Sequence, residues 1–154
     1  MGVYLNSKKS GSVYRKTVQS LYFVDKTAML EELIPIVEIN PAGATSSQSS
    51  AKDVRYICIT RPRRFGKTVM ASMIASFFGK GGDSRAIFEK LAISRHKDFD
   101  KHLNTHDVIH IAFNELPDEC TTYGQYITRI KQRLLCDLLS LRWQSGKAMP
   151  YGMR

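Results

Sequence analysis

The chain is expected to be an α/β protein built on a parallel sheet, and three observations carry that expectation. Residues 54–60 (Val-Arg-Tyr-Ile-Cys-Ile-Thr) are β-branched and aromatic with a charge-free end, as suits a strand covered on both faces. A basic turn and an almost wholly apolar segment, residues 67–78, follow at once, which gives the order strand, loop, buried helix. Residues 108–113 (Val-Ile-His-Ile-Ala-Phe) repeat the strand composition between polar turns. Elements in this order make a right-handed βαβ crossover.

The other elements follow from local pattern. Residues 1–21 read as a polar, extended N-terminal segment ahead of a domain over residues 22–142. Tyr22-Phe-Val-Asp-Lys-Thr passes from extended chain into a helix that Asp25 can cap, with Met29, Leu30, Leu33, Ile34 and Val37 at helical spacing. Pro35 costs about 3 kcal/mol in a helix interior, so this helix is expected to end near Leu33 or to kink there. Residues 40–53, rich in Ser and Ala, have almost nothing to bury and read as a flexible insertion. Ser84 is placed to cap a short helix over residues 85–90, and Leu91-Ala-Ile-Ser is a short apolar run. Thr121 or Thr122 can cap a last helix whose apolar face is Tyr123, Ile127, Ile130, Leu134, Leu138 and Leu141. Residues 143–154, with Trp143 and Tyr151, lack periodicity and read as a frayed tail.

Composition narrows the function classes. A length of 154 residues with 43% hydrophobic content fits one globular domain with a real core. No run of 18 apolar residues occurs, and no basic-then-apolar leader opens the chain, so a cytoplasmic protein without membrane partners is expected. Cys58, Cys120 and Cys136 are too few and too scattered for a disulfide framework or a pair of metal clips, and reduced, buried thiols are expected. The net charge is +9, and residues 41–100 hold eleven Lys and Arg against five Asp and Glu. Arg61, Arg63, Arg64 and Lys67 lie within seven positions, which points to an anionic partner at that place.

That cluster is part of Arg61-Pro-Arg-Arg-Phe-Gly-Lys-Thr, which matches the phosphate-loop pattern GxxxxGK[ST] at every position but the first. Amides from Arg63 to Thr68 can wrap an oxyanion, and the helix starting near Lys67 directs its positive dipole end at the same place. Gly66 permits close approach of the backbone, Lys67 can reach the outer phosphates, and the Thr68 hydroxyl is placed to ligate Mg²⁺. Pro62 supplies no amide, and Arg61 stands where a glycine usually opens the turn. Residues 61–68 therefore form the candidate nucleotide site, in a P-loop NTPase-type three-layer sandwich. Arg63 and Arg64 are candidate phosphate clamps, and Asp25 is either a cap or a water-polarising group. Met70 and Met73 read as core. His102, His106 and His110 have metal-ligand spacing for a single helix, but the Asn104-Thr105 break sets them on different elements.

The blocks Tyr22-Phe-Val-Asp-Lys-Thr, Ile59-Thr-Arg-Pro-Arg-Arg-Phe-Gly-Lys-Thr, Phe77-Phe78 and Asp107-Val-Ile-His-Ile together resemble the AAA-ATPase-like family over about residues 2–140. The resemblance implies a P-loop protein that binds ATP or another nucleoside triphosphate on Gly66, Lys67 and Thr68. In that family Arg at position 61 is normal, and the Asp25-Lys26-Thr27 block lies near the site. Members often carry a nuclease-like C-terminal domain of the PD-(D/E)XK type. They also place a Walker B strand, an apolar run ending in Asp-Glu, after the helix that here ends near Leu141. Nothing of that kind follows Leu141; the nearest run, Ile109-His-Ile-Ala-Phe, ends in Asn114 and Glu115, and the neutral Asn holds Mg²⁺ poorly. The chain thus reads as the N-terminal part of a longer protein, with hydrolysis expected to be slow or absent. The alternative reading is a basic nucleic-acid-binding module using Arg61 to Arg64, indifferent to nucleotide.

Overall fold

The computed structural model describes residues 2–39, 56–113 and 120–144. The expected insertion at 40–53, the Asn114-Glu115 pair and nearly all of the 143–154 tail lie outside the described residues. Among the described residues six α-helices appear in chain order: α1 (Lys8–Val18), α2 (Ala28–Ile39), α3 (Lys67–Phe78), α4 (Arg85–Phe88), α5 (Phe99–His102) and α6 (Tyr123–Gln144). A 3-10 turn over Ala92–Arg95 separates α4 from α5.

The parallel-sheet sandwich is not what forms. Among the described residues there is no strand and no sheet; extended chain pairs only through two isolated bridges, Leu5 with Ile109 antiparallel and Gly79 with His106 parallel. The apolar run at 108–113 does find partners, but they are the N-terminal segment and the end of α3. Asn6 N–H donates to the Val108 carbonyl at 2.9 Å, His110 N–H to the Tyr4 carbonyl at 2.9 Å, and His106 N–H to the Phe78 carbonyl at 2.8 Å. Residues 56–60, which were to be the central strand, are exposed throughout, with Tyr56 at 93%. A strand exists only through its ladder, and an apolar run records hydrophobicity without naming a partner.

Residues 8–18, expected to be extended, are helical. Ser7 caps α1 by accepting from Lys9 N–H, and Ser10 and Tyr14 turn inward against α3. α2 stays helical past Pro35 to Ile39 and does not end near Leu33. Leu30 and Ile34 are buried and Val37 packs on the core, so burial on both sides of the proline outweighs its missing donor. α3 has the expected bounds, and Gly79 stops it with an extended backbone. At α4 the Ser84 side chain does not cap; the Asp83 carboxylate accepts from Arg85 N–H instead, at 2.9 Å.

The core gathers around aromatic rings. Phe77 of α3 meets Phe88 of α4 edge-on at 5.2 Å and Phe99 of α5 at 5.9 Å, while Tyr14 of α1 stacks on Phe88 at 5.3 Å. Leu30, Ile34, Met73 and Ile93 fill the space between them. On α6 the expected face holds in part: Ile130 is buried and Ile127, Leu134 and Leu141 are half-buried, while Tyr123 and Leu138 are exposed and Tyr126 and Asp137 are buried instead. The cysteines are free, but Cys58 and Cys136 are exposed and Cys120 half-buried, not buried as expected.

Candidate functional site

The loop over residues 61–68 is shaped by two left-handed backbones, Arg64 at φ 67° and Gly66 at φ 81°. An L residue adopts this region at a cost of about 1–2 kcal/mol, so glycine at 66 is a requirement of the turn and Arg64 holds local strain. A Cβ on Gly66 would also lie 3.6 Å from the Lys26 ammonium. The helical ladder of α3 begins with Met70 N–H donating to the Gly66 carbonyl at 2.9 Å. Geometry leaves the amides of Lys67, Thr68 and Val69 ahead of that bond without an intrahelical acceptor, at the positive end of the helix dipole.

Two ammonium groups close the loop. Lys67 Nζ folds back to donate to the Arg61 carbonyl at 2.6 Å and the Pro62 carbonyl at 3.0 Å. Lys26 Nζ donates to the Phe65 carbonyl at 3.1 Å and lies 5.7 Å from the centre of the Phe65 ring. Arg61, Arg63 and Arg64 stay exposed. Residues 61–68 thus come together as a cationic loop, and Lys26, named in the sequence only as part of a nearby block, belongs to it.

Asp25 does not face the loop. Its carboxylate accepts from Thr27 N–H and from Ala92 N–H, both at 2.8 Å, and the Thr27 hydroxyl accepts from Ile93 N–H at 3.2 Å. Burial would raise this carboxyl, but the Ala92 and Thr27 amides outweigh it and hold it below its ordinary value. The Asp25-Lys26-Thr27 block is therefore a joint: its outer members anchor the start of α2 to the 3-10 turn, and its middle member reaches the loop.

Beside the loop lies a cavity of about 370 Å³ whose walls include Tyr22, Phe23, Phe65, Gly66, Met70 and Met73. Met70 and Met73, read as core alone, thus also line this wall. Thr68 faces elsewhere, into a second cavity between α1, α3 and α6. The histidines separate as expected in part. His102 Nδ1 and His106 Nε2 lie 2.9 Å apart, with His102 Nε2 3.1 Å from Glu38, whereas His110 pairs with Ser10. Burial first, then the neighbouring His102 and Lys80, holds His106 below its ordinary value. Among the described residues no group of three or more His, Cys, Asp or Glu is placed to hold a metal ion, and no helix is long and apolar enough to cross a membrane.

The loop is thus a strained glycine-bearing turn that opens α3 and is closed by two lysines. The family described as "Predicted AAA-ATPase", AAA-ATPase-like, matches residues 48–146, well over half of the chain, and the chain belongs to that family. No curated protein and no solved structure shows a significant match.

Proposed function

We propose that the chain binds a nucleoside triphosphate, ATP in the first instance, on the loop 61–68. The observation that carries this reading is the inward fold of Lys67, whose ammonium spends two donors on the loop's own carbonyls and is positioned to exchange them for phosphate oxygens. The amides of Lys67, Thr68 and Val69 would take the same phosphates, with Arg63 and Arg64 screening charge at the rim. The cavity walled by Tyr22, Phe65 and Met70 offers a flat apolar surface for the base. Thr68 is the loop's hydroxyl for Mg²⁺. No carboxylate among the described residues lines its cavity, so a divalent cation there would rest on that hydroxyl, phosphate oxygens and water.

A fluorescent ATP analogue titrated into the 154-residue chain is expected to bind, and Lys67→Ala to weaken binding at least tenfold, about 1.4 kcal/mol. Lys67 is exposed, so the variant should melt close to the parent, within about 0.5 kcal/mol. Equal binding by both proteins would remove the reading. The exposed Arg61, Arg63 and Arg64 also suit a nucleic-acid backbone; that reading requires affinity that falls steeply with salt and ignores Lys67→Ala.

A further inference from the structure

A third cavity, about 500 Å³, lies along α1 where that helix packs against α3. One wall is a helical stripe: Lys8, Ser12, Arg15 and Lys16 of α1, continued by its C-cap Gln19. The other is the end of α3 with the turn that holds Gly79, Gly81 and Gly82. A Cβ on Gly81 would come within 2.4 Å of the Asn6 carbonyl oxygen, so this turn must stay bare, and its wall presents backbone to the cavity.

The cations of the stripe are free. Residues 1–24 contain four Lys and Arg and no Asp or Glu. Lys8, Arg15 and Lys16 are exposed, and among the described residues none of these three side chains makes an ion pair or a hydrogen bond. Asp83, the one acid among the described lining residues, accepts from Arg85 N–H at 2.9 Å at the start of α4. Helix stability accounts for only part of this pattern. Arg15 and Lys16 stand in the last turn, where the dipole favours cations, but Lys8 opens the helix, where it favours an acid. Lys8 and Arg15 are seven residues apart, about 10 Å along the axis, which matches the rise of about three base pairs in a duplex.

The lining selects among polyanions. An acidic protein partner would need apolar anchors at the centre of the contact. Here the apolar lining is Ala75 and the buried Ile87, and the stripe offers Ser12 and Gln19 among its cations. Lysine, arginine, serine, glutamine and open backbone are the groups that contact a sugar-phosphate backbone. No aromatic side chain lines the cavity among the described residues, so unstacked bases have no platform, which favours a duplex over a single strand.

We infer that α1 is a contact surface for the phosphate backbone of a nucleic-acid duplex, held by Lys8, Arg15 and Lys16 without reading of base sequence. It uses none of the residues of the loop 61–68 and does not depend on the nucleotide reading.

The test follows the fluorescence anisotropy of labelled DNA and RNA duplexes with the 154-residue chain as salt is raised. Binding of either duplex at low salt is expected, the stronger of the two identifying the natural form, and duplexes of different sequence should bind alike. Arg15→Gln with Lys16→Gln should weaken binding about tenfold and flatten the plot of log affinity against log salt by about 1.8, two contacts at about 0.9 each. Lys8→Gln should flatten it by about 0.9, and its loss takes nothing from the helix dipole, so it guards against an effect on folding. Absence of duplex binding at low salt overturns the inference. So does binding that survives the α1 variants unchanged; its loss in Arg63→Gln with Arg64→Gln would place the duplex on the loop instead. Displacement by polyglutamate as effective as by unlabelled duplex also overturns it, because the surface then takes acidic protein. The nucleotide reading is judged separately: the α1 variants should bind the ATP analogue as the parent does, and Lys67→Ala should keep the duplex.

Discussion

Tyr14 is the residue whose environment is least satisfied. It is 1% exposed, its ring stacks on Phe88 and meets Phe23 edge-on, and its hydroxyl is buried with no hydrogen-bond partner among the described residues. Burial, and secondarily the negative charge of Asp25, pushes its ionisation far above the ordinary phenol range, so it stays neutral at every physiological pH. A buried hydroxyl without a partner costs about 1–3 kcal/mol, while the ring contacts survive its removal. Tyr14→Phe is therefore expected to raise the melting temperature by about 2–4 °C. Circular dichroism on both proteins checks this, and a clear fall would show that the hydroxyl has a partner. The turn itself was legible at this scale: Gly66 takes a left-handed backbone and Lys67 opens α3. Lys26 is 39 residues from the carbonyl it bonds, and no local pattern names such a partner.

Among the elements, α3 was readable to its ends because an apolar run met a basic turn on one side and Gly79 on the other. α6 shows the same kind of local specification at its start. Gln125 N–H donates to the Thr122 hydroxyl at 3.3 Å, and Gln125 Oε1 accepts from the amides of Thr122 and Thr121 at 3.3 and 3.0 Å. This reciprocal pair is a capping box, and Thr122, one of the two candidate caps, is the one that closes it. Thr122→Ala is expected to cost about 1 kcal/mol and Gln125→Glu to cost less, measured by chemical unfolding. Equal, negligible effects would show that packing alone sets the start of α6. The strands at 54–60 and 108–113 were misread for a reason at the same scale. β-branched composition marks chain that suits a pleat, but the hydrogen bonds that make a sheet come from residues remote in sequence. The helix at Lys8–Val18 was missed because its inward face is carried by Ser10 and Tyr14 amid charged residues, an apolar stripe too thin to read as periodic.

For the whole molecule, a carboxylate of α6 ties down the N-terminal segment across more than 130 residues of sequence, with separations of 132 to 134 among the described residues. Asp137 Oδ1 accepts from Val3 N–H at 3.0 Å, and Oδ2 from Tyr4 N–H at 2.8 Å and Leu5 N–H at 3.1 Å. A Cβ on Gly2 would come within 2.5 Å of this carboxylate, so the segment is pressed against it. The same segment bonds residues 108–110, and one wall of the cavity between α1, α3 and α6 depends on this packing. Burial raises the Asp137 carboxyl, but the Tyr4, Leu5 and Val3 amides prevail and hold it below the ordinary carboxylate value. A carboxyl depressed in the folded state binds fewer protons than in the unfolded chain, so its contribution is complete above about pH 4 and is lost as pH falls below that. Asp137→Asn keeps the shape but replaces a charged acceptor with a neutral one and brings an amide donor toward the three N–H groups. It is expected to lower stability by about 2 kcal/mol at pH 7. Asp25 and Asp107 are depressed too and stay in both proteins, so the informative quantity is the difference between them. Urea unfolding from pH 7 to pH 3 should show that difference shrinking only below about pH 4. A gap that stays constant over the whole range would mean that the Asp137 charge takes no part in holding the N-terminal segment.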